Sequence, residues 1–275
     1  MPNATPLILL FFCLLSGCSS VLLQENFSTC LVKITVSDQC LHLVNKHANF
    51  SNVFTQGLAI HDGVLYQSSG GYGKSFVQRY DIENKKLLIR RPLSEQYFAE
   101  GLSWHNQILY LLSWREQTAW ALDRETLQPF KQFRYQGEGW GLTSNDSELI
   151  LSNGSSMLSI IDASNFNTIR TLNVYERIGA SQKHIDNINE LEWVEGRIWA
   201  NVWQTDRIII IHPITGEVEK SIDLSALVNR ERNIHKSAGV LNGIAYDSKQ
   251  HRVYLSGKNW QHIYTFLWDP MNTVK

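Results

Sequence analysis

A small unit recurs along this chain at a spacing that leaves few folds open. Gln56-Gly57-Leu58, Glu100-Gly101-Leu102, Trp140-Gly141-Leu142, Asn189-Glu190-Leu191 and Asn242-Gly243-Ile244 share an apolar third residue, at positions 58, 102, 142, 191 and 244. The intervals are 44, 40, 49 and 53 residues. After each unit comes a polar turn and then a short run of β-formers, such as His61-Asp62-Gly63 before Val64-Leu65-Tyr66-Gln67-Ser68, or Val194-Glu195-Gly196 before Arg197-Ile198-Trp199-Ala200-Asn201. A further strand follows, as in Arg207-Ile208-Ile209-Ile210-Ile211. A period of about 40 to 50 residues with several short strands in each is the mark of a β-propeller. Five units predict an all-β, five-bladed β-propeller over residues 41–268, in one domain, with a short helical turn at 223–235 as its one helical element. The alternative is a β-sandwich or barrel with coincidental turns, which leaves the fixed phase of the unit unexplained.

The phase also predicts a site. The innermost strand of each propeller blade lines the central channel, so the loops that lead into these strands surround one channel mouth. Gln56, Glu100, Trp140, Asn189 and Asn242 are thereby brought into one ring from five blades. One carboxylate, three amides and an indole serve stability poorly and recognition well.

Composition narrows the partners. Lys and Arg number 25 against 26 Asp and Glu, which leaves no basic face for nucleic acid. Nine tryptophans are the unusual entry in the residue count. Indole is bulky and carries an N–H that wants a partner, so some are expected to line a site.

Residues 8–15, Ile-Leu-Leu-Phe-Phe-Cys-Leu-Leu, have the length of a signal-peptide core and are too short to span a bilayer. Leu15-Ser16-Gly17-Cys18 resembles a bacterial lipobox, although no Lys or Arg precedes it. The division expected is a lipoprotein-type signal peptide over 1–17 with cleavage before Cys18, an N-terminal extension over 18–40, and the propeller over 41–275. Lipidation at Cys18 places the protein outside the cytoplasm, in a periplasm and on an outer membrane, with the lipid as its only membrane contact. Cys30 and Cys40 are either a disulfide of an exported protein or two buried thiols. No CxxC and no HExxH-type spacing points to a metal.

Seven segments in order resemble the plant- and bacterial-type glutaminyl cyclases. They are Phe54-Thr55-Gln56-Gly57-Leu58, Tyr97-Phe98-Ala99-Glu100-Gly101-Leu102, Gly139-Trp140-Gly141-Leu142, Asn189-Glu190-Leu191-Glu192, Trp199 through Asp206, Leu241-Asn242-Gly243-Ile244-Ala245 and Ser256-Gly257-Lys258-Asn259-Trp260. One departure is Asn49-Phe50-Ser51, where that family often has a His-Asp-Pro turn. The resemblance implies a five-bladed propeller that converts N-terminal glutaminyl residues of peptides to pyroglutamate and releases ammonia. Its functional positions here are Glu100, Asn189 and Lys258 as catalytic groups, and Phe54, Gln56, Phe98, Trp114, Trp140 and Trp203 around the substrate. Trp114 follows Glu100 by 14 residues and Trp203 follows Asn189 by 14, each the length of one hairpin. The partners implied are peptide N-termini bearing Gln, and a monomer is expected. No catalytic metal is implied. Zinc, the metal of the animal-type enzymes of another fold, is not expected; a structural calcium of the kind some plant relatives hold stays open, with no oxygen ligands assigned to it.

The chemistry asks for a group that takes a proton from the attacking α-amine and returns it to the leaving ammonia; Glu100 is the only carboxylate of the ring. Its alternative is a structural ion pair with Lys258. Lys258 and Asn189 are candidates for stabilising the amide oxygen, and Gln56 for the α-amine or the first peptide carbonyl. Trp114, Trp140 and Trp203 would box the glutaminyl methylenes and exclude water. Trp104, Trp120, Trp193, Trp199 and Trp268 are read as packing, and Trp260 is undecided. Two rivals remain: a calcium-dependent, lactonase-like propeller hydrolase, for which Glu100, Asn189 and Glu190 would be ligands, and a non-catalytic binding propeller.

Overall fold

The computed structural model describes residues 32–34, 41–50, 53–145 and 147–268. The expected signal peptide, Cys18 and the Cys30 and Cys40 pair lie outside them.

Four-stranded antiparallel sheets succeed one another along the chain. The first blade is Thr55–His61, Val64–Ser69, Phe76–Asp81 and Lys86–Pro92. The second is Ala99–His105, Ile108–Ser113, Thr118–Leu122 and Pro129–Arg134. The third is Leu142–Ser144, Leu149–Leu151, Met157–Ile161 and Thr168–Asn173. The fourth is Ile188–Val194, Arg197–Val202, Arg207–Ile211 and Val218–Asp223. The fifth takes Leu241–Asp247, Arg252–Gly257 and His262–Leu267 from the end of the chain and its outer strand, His42–Ala48, from before the first blade. The first strands of the blades neighbour one another in a closed ring. The fold is a five-bladed β-propeller.

The repeated glycine has a steric cause. A Cβ on Gly57 would lie 2.6 Å from the amide nitrogen of Leu102 in the next blade. A Cβ on Gly101 would lie 2.7 Å from the carbonyl carbon of Gly141, and one on Gly141 would lie 2.8 Å from the Cα of Glu190. Inner strands of adjacent blades therefore touch backbone to backbone around the axis, where a side chain has no room.

The fourth blade breaks the pattern with Glu190, and the structure gives the reason. Its fully buried carboxylate accepts the N–H of Leu58 in the first blade (3.2 Å) and of Ile244 in the fifth (2.9 Å). Glu190 thus ties three inner strands by satisfying donors that have no strand partner. Burial pushes its carboxyl well above the ordinary range, with nearby Glu192 adding to the rise.

The unequal intervals are insertions into one repeat. The hairpin Tyr175–Ile178 and Ser181–His184 fills the longer gap before the fourth blade. Polar and exposed, it gave no strand signal of its own. The expected helical turn is a full helix, Ser225–Ile234, inserted before the fifth blade. Its Leu227 and Val228 are buried against Val32, Leu224 and Trp260. Lys33–Ile34 pairs with Val218–Asp223 as a fifth strand on the fourth blade, so part of the segment before residue 41 belongs to the folded body. Between the blades, aliphatic and aromatic side chains form successive apolar layers. Trp199 and Trp268 meet edge to face at 4.6 Å in one of them. Among the described residues, no helix is long and apolar enough to cross a membrane.

Candidate active site

The ring residues sit at breaks in the inner-strand ladders. Register shifts fall between Thr55 and Gly57, Ala99 and Leu102, Ile188 and Leu191, and Leu241 and Ile244. The residues inside those breaks are Gln56, Glu100 with Gly101, Asn189 with Glu190, and Asn242 with Gly243. A bulge leaves a residue unpaired and re-aims its side chain, which frees these groups from the alternation of an ordinary strand. In the third blade, Trp140 and Gly141 precede the inner strand and are held by Trp140 N–H to Ser152 O (2.9 Å) and Ser152 N–H to Gly141 O (3.0 Å).

Glu100 is 5% exposed and its Oε1 accepts the Nε2–H of Gln56 at 2.8 Å. Lys258, 8% exposed, stands with Nζ 4.7 Å from the centre of the Phe54 ring, and no ion pair within 4.0 Å joins it to Glu100. The two groups nonetheless feel one another. Burial raises the Glu100 carboxyl well above the ordinary range and lowers the Lys258 ammonium, and each charge partly offsets the other's shift. Glu116 and Glu138 at the rim add to the rise at Glu100. The fully paired, purely structural Glu100–Lys258 bridge is therefore not what the structure contains.

The amides divide into two roles. Asn242 Nδ2 donates to the carbonyls of Thr55 and Gln56, both at 3.0 Å, and so staples the fifth blade to the first. The Oδ1 of Asn242 itself, Gln56 Oε1 and Asn189 Oδ1 are all buried with no protein partner. Three unpaired buried acceptors are costly unless a ligand supplies donors.

Half-buried aromatic rings surround these groups. Phe98 meets Trp114 at 5.4 Å and Tyr72 at 5.4 Å, and Trp140 meets Trp203 edge to face at 5.6 Å. Phe54 bridges to Lys258 through the backbone, and Asn259 N–H reaches Val53 O at 2.9 Å. All nine positions assigned from the sequence thus come from loops and inner-strand starts at one end of the ring. Where Asn49-Phe50-Ser51 departs from the family turn, Asn49 clips onto the Trp260 and Gln261 carbonyls (3.2 and 2.7 Å) and Phe50 packs on Tyr80.

A match to the glutamine cyclotransferase family model covers residues 14–267. This chain belongs to that family. A glutaminyl-peptide cyclotransferase of Arabidopsis thaliana is 32% identical over 229 residues, 82% of this chain and 70% of the relative. The crystal structure of the glutaminyl cyclase of Myxococcus xanthus superposes with a TM-score of 0.76 at 31% identity, over 82% of this chain and 94% of that one.

With the family placed, the remaining tryptophans sort by contact. Trp260 is buried; its Nε1–H donates to Gly239 O at 3.1 Å, so it supports the Lys258 loop from beneath. Trp104 stacks on His61 at 4.5 Å and Trp120 meets Tyr97 at 4.8 Å, both as packing. Three residues that matter to this cyclotransferase site were not singled out from the sequence. Glu138 accepts from two of the indoles, Glu116 accepts the Phe98 N–H at 3.3 Å and the Tyr72 hydroxyl at 2.8 Å, and Glu231 anchors the Lys258 loop. None falls on the repeat phase. Among the described residues, no three His, Cys, Asp or Glu side chains form a group that could hold a metal ion.

Proposed function

We propose that the chain is a glutaminyl-peptide cyclotransferase, and that Glu100 moves the proton in a reaction carried by protein groups alone. The observation that carries this reading is one buried carboxylate, held by Gln56 and within the field of a buried lysine, in a ring whose amide oxygens have no protein partner.

The α-amine of the peptide attacks its own side-chain amide carbon. A C–N bond closes the five-membered ring, and the tetrahedral centre collapses by releasing ammonia. The reacting atoms are already in one molecule, so holding the bent conformer supplies much of the acceleration. The free oxygens of Gln56 and Asn189 suit substrate N–H groups. The unpaired Oε1 of Gln56 suits the α-amine, while its Nε2 gives one N–H to Glu100. Lys258 and the amide N–H of Asn189 are the donors offered to the developing oxyanion. Glu100 takes the proton from the attacking nitrogen and returns it to the departing one. A carboxyl raised by burial suits this double duty, because a base that must become an acid works best with its value near the working pH. Trp114, Trp140 and Trp203 exclude the water that would hydrolyse the amide instead.

The test is ammonia release from a Gln-initiated dipeptide by the purified protein, with Glu100→Gln as control. Near-normal kcat in that variant ends the assignment. Activity that is lost to a zinc chelator and restored by zinc would contradict the metal-free mechanism. A monomer is our reading of the oligomeric state, to be measured by light scattering. We also propose export, with Cys18 lipidated as the anchor to a periplasmic membrane face. Cys18→Ser should release the protein into the soluble fraction if that is correct.

A further inference from the structure

One carboxylate at the mouth of the ring has more donors aimed at it than any other rim group. Glu138 Oε2 accepts the indole N–H of Trp114 at 2.8 Å and that of Trp140 at 3.0 Å. Its Oε1 accepts Nε–H of Arg115 at 3.0 Å. The guanidinium of Arg115 in turn lies 3.7 Å from the centre of the Trp114 ring. Two indoles from different blades therefore converge on one oxygen atom, and the arginine that covers one of them returns to the same carboxylate.

Such convergence sets ring orientation. An indole can turn about two side-chain bonds, and an N–H satisfied by water leaves those turns free. An N–H tied to a fixed oxygen does not. Trp140 is confined on another side by Gly154, where a Cβ would stand 2.7 Å from the ring. Trp203 lies at 89° to Trp140, so holding Trp140 also places the third indole. Glu138 itself is steady: its backbone neighbour Gly139 donates to Trp114 O at 2.9 Å. Burial works to raise its carboxyl, yet the indole and arginine N–H groups hold it below the ordinary range.

We propose that Glu138 is a positioning residue of the peptide site, fixing the Trp114 and Trp140 indoles as walls against the glutaminyl side chain. This rests on the reading of those indoles as the substrate box. The role demands a carboxylate. Three N–H donors meet there, and a carboxylate is all acceptor, whereas a glutamine brings an NH₂ that must face one of the donors. Nearly isosteric replacement is therefore diagnostic.

The experiment compares Glu138→Gln and Glu138→Asp with the unaltered protein, and uses Trp114→Phe and Trp140→Phe to map the box. Near-ultraviolet circular dichroism and indole emission of the free protein report ring order. Michaelis parameters for a Gln-initiated dipeptide report the site. We expect an altered indole signal in Glu138→Gln, with KM raised about tenfold and kcat held within about threefold. Glu138→Asp, which keeps the charge but is one methylene shorter, should fall between. A lowered Tm with indole signal and KM unchanged would mean a merely structural carboxylate and would overturn the proposal. An altered indole signal with normal KM in both Phe variants would overturn it from the other side, because the box itself would then be misassigned.

Discussion

Replacing Gly141 by alanine tests the link between the repeat and the site. Its φ is not in the left-handed region, so alanine meets no backbone strain there and the perturbation is contact alone. The new Cβ would stand 2.8 Å from the Cα of Glu190 and 2.9 Å from the carbonyl carbon of Asn189, with the Asn189 oxygen nearer still. Carbon atoms rest at about 3.5–4.0 Å, so the two inner strands must part by roughly 0.7 Å or more. Forced overpacking of this kind costs about 1–3 kcal/mol, which for a ring of this size lowers Tm by about 2–4 °C per kcal/mol. The displaced strand is the one that carries Asn189 and Glu190. A shift approaching 1 Å at a catalytic group costs on the order of a hundredfold in rate, so kcat should fall by about 10- to 100-fold while the protein still folds. Gly63→Ala is the control. It has φ +75° and open space around the new carbon, so it should cost about 1 kcal/mol of backbone strain and leave kcat unchanged. Thermal unfolding and dipeptide kinetics on the pair decide the matter. Gly141→Ala with unaltered Tm and unaltered kcat would refute the close approach as the cause of the repeated glycine.

Lys258→Met should leave Tm within a few degrees and reduce kcat by about 10²- to 10³-fold, the loss seen when a donor to a developing oxyanion is removed; stopped ammonia assays measure it. Glu231 accepts Gln261 N–H at 2.9 Å, the Tyr264 hydroxyl at 2.6 Å and His262 Nδ1 at 2.7 Å, and so fixes the inserted helix to the strand that follows Lys258. Glu231→Ala should cost about 2 kcal/mol in urea unfolding, since it removes three charge-assisted hydrogen bonds, one buried and two part-buried. Glu192 is pushed up to about 8 by burial, against an ordinary value of 4.5. Its folded form holds a proton that the unfolded chain has lost, so its contribution is whole below about pH 4.5 and disappears as pH rises through 8. Stability should fall over that window by at most about 1.4 kcal/mol per pH unit from this group. Glu192→Gln should flatten the Tm-versus-pH curve there, and an unchanged slope would exclude Glu192 as its source.

The architecture was legible because close approach leaves a mark every 40 to 50 residues. Gly57, Gly101 and Gly141 are small for a reason that recurs, and a recurring reason shows as a period. The same phase located Gln56, Glu100, Asn189 and Asn242, since the bulges that aim them recur too. Roles were less legible than positions. Asn242 and Asn189 both present an unpaired amide oxygen, but Asn242 also uses its amide N–H groups as an inter-blade staple. Glu190 was hidden by being the exception. It stands where the other four units carry glycine and bonds to two other blades. Glu138, Glu116 and Glu231 act through side-chain contacts that follow no period, so the sequence carried no signal for them beyond their charge. The strand Lys33–Ile34 was too short, and the hairpin at 175–184 too polar, to register as β-structure.

The outer strand of the fifth blade comes from His42–Ala48, while Lys258 and the strand beside it come from the far end of the chain. This has a consequence for biosynthesis. Glu100 and Asn189 are synthesised long before Lys258, and the blade that carries Lys258 is a four-stranded sheet only when the two ends of the ring have met. A nascent chain therefore holds Glu100 and Asn189 before Lys258 is made. Pairing of His42–Ala48 with His262–Leu267 thus joins the first blade's approach segment to the strand that follows Lys258.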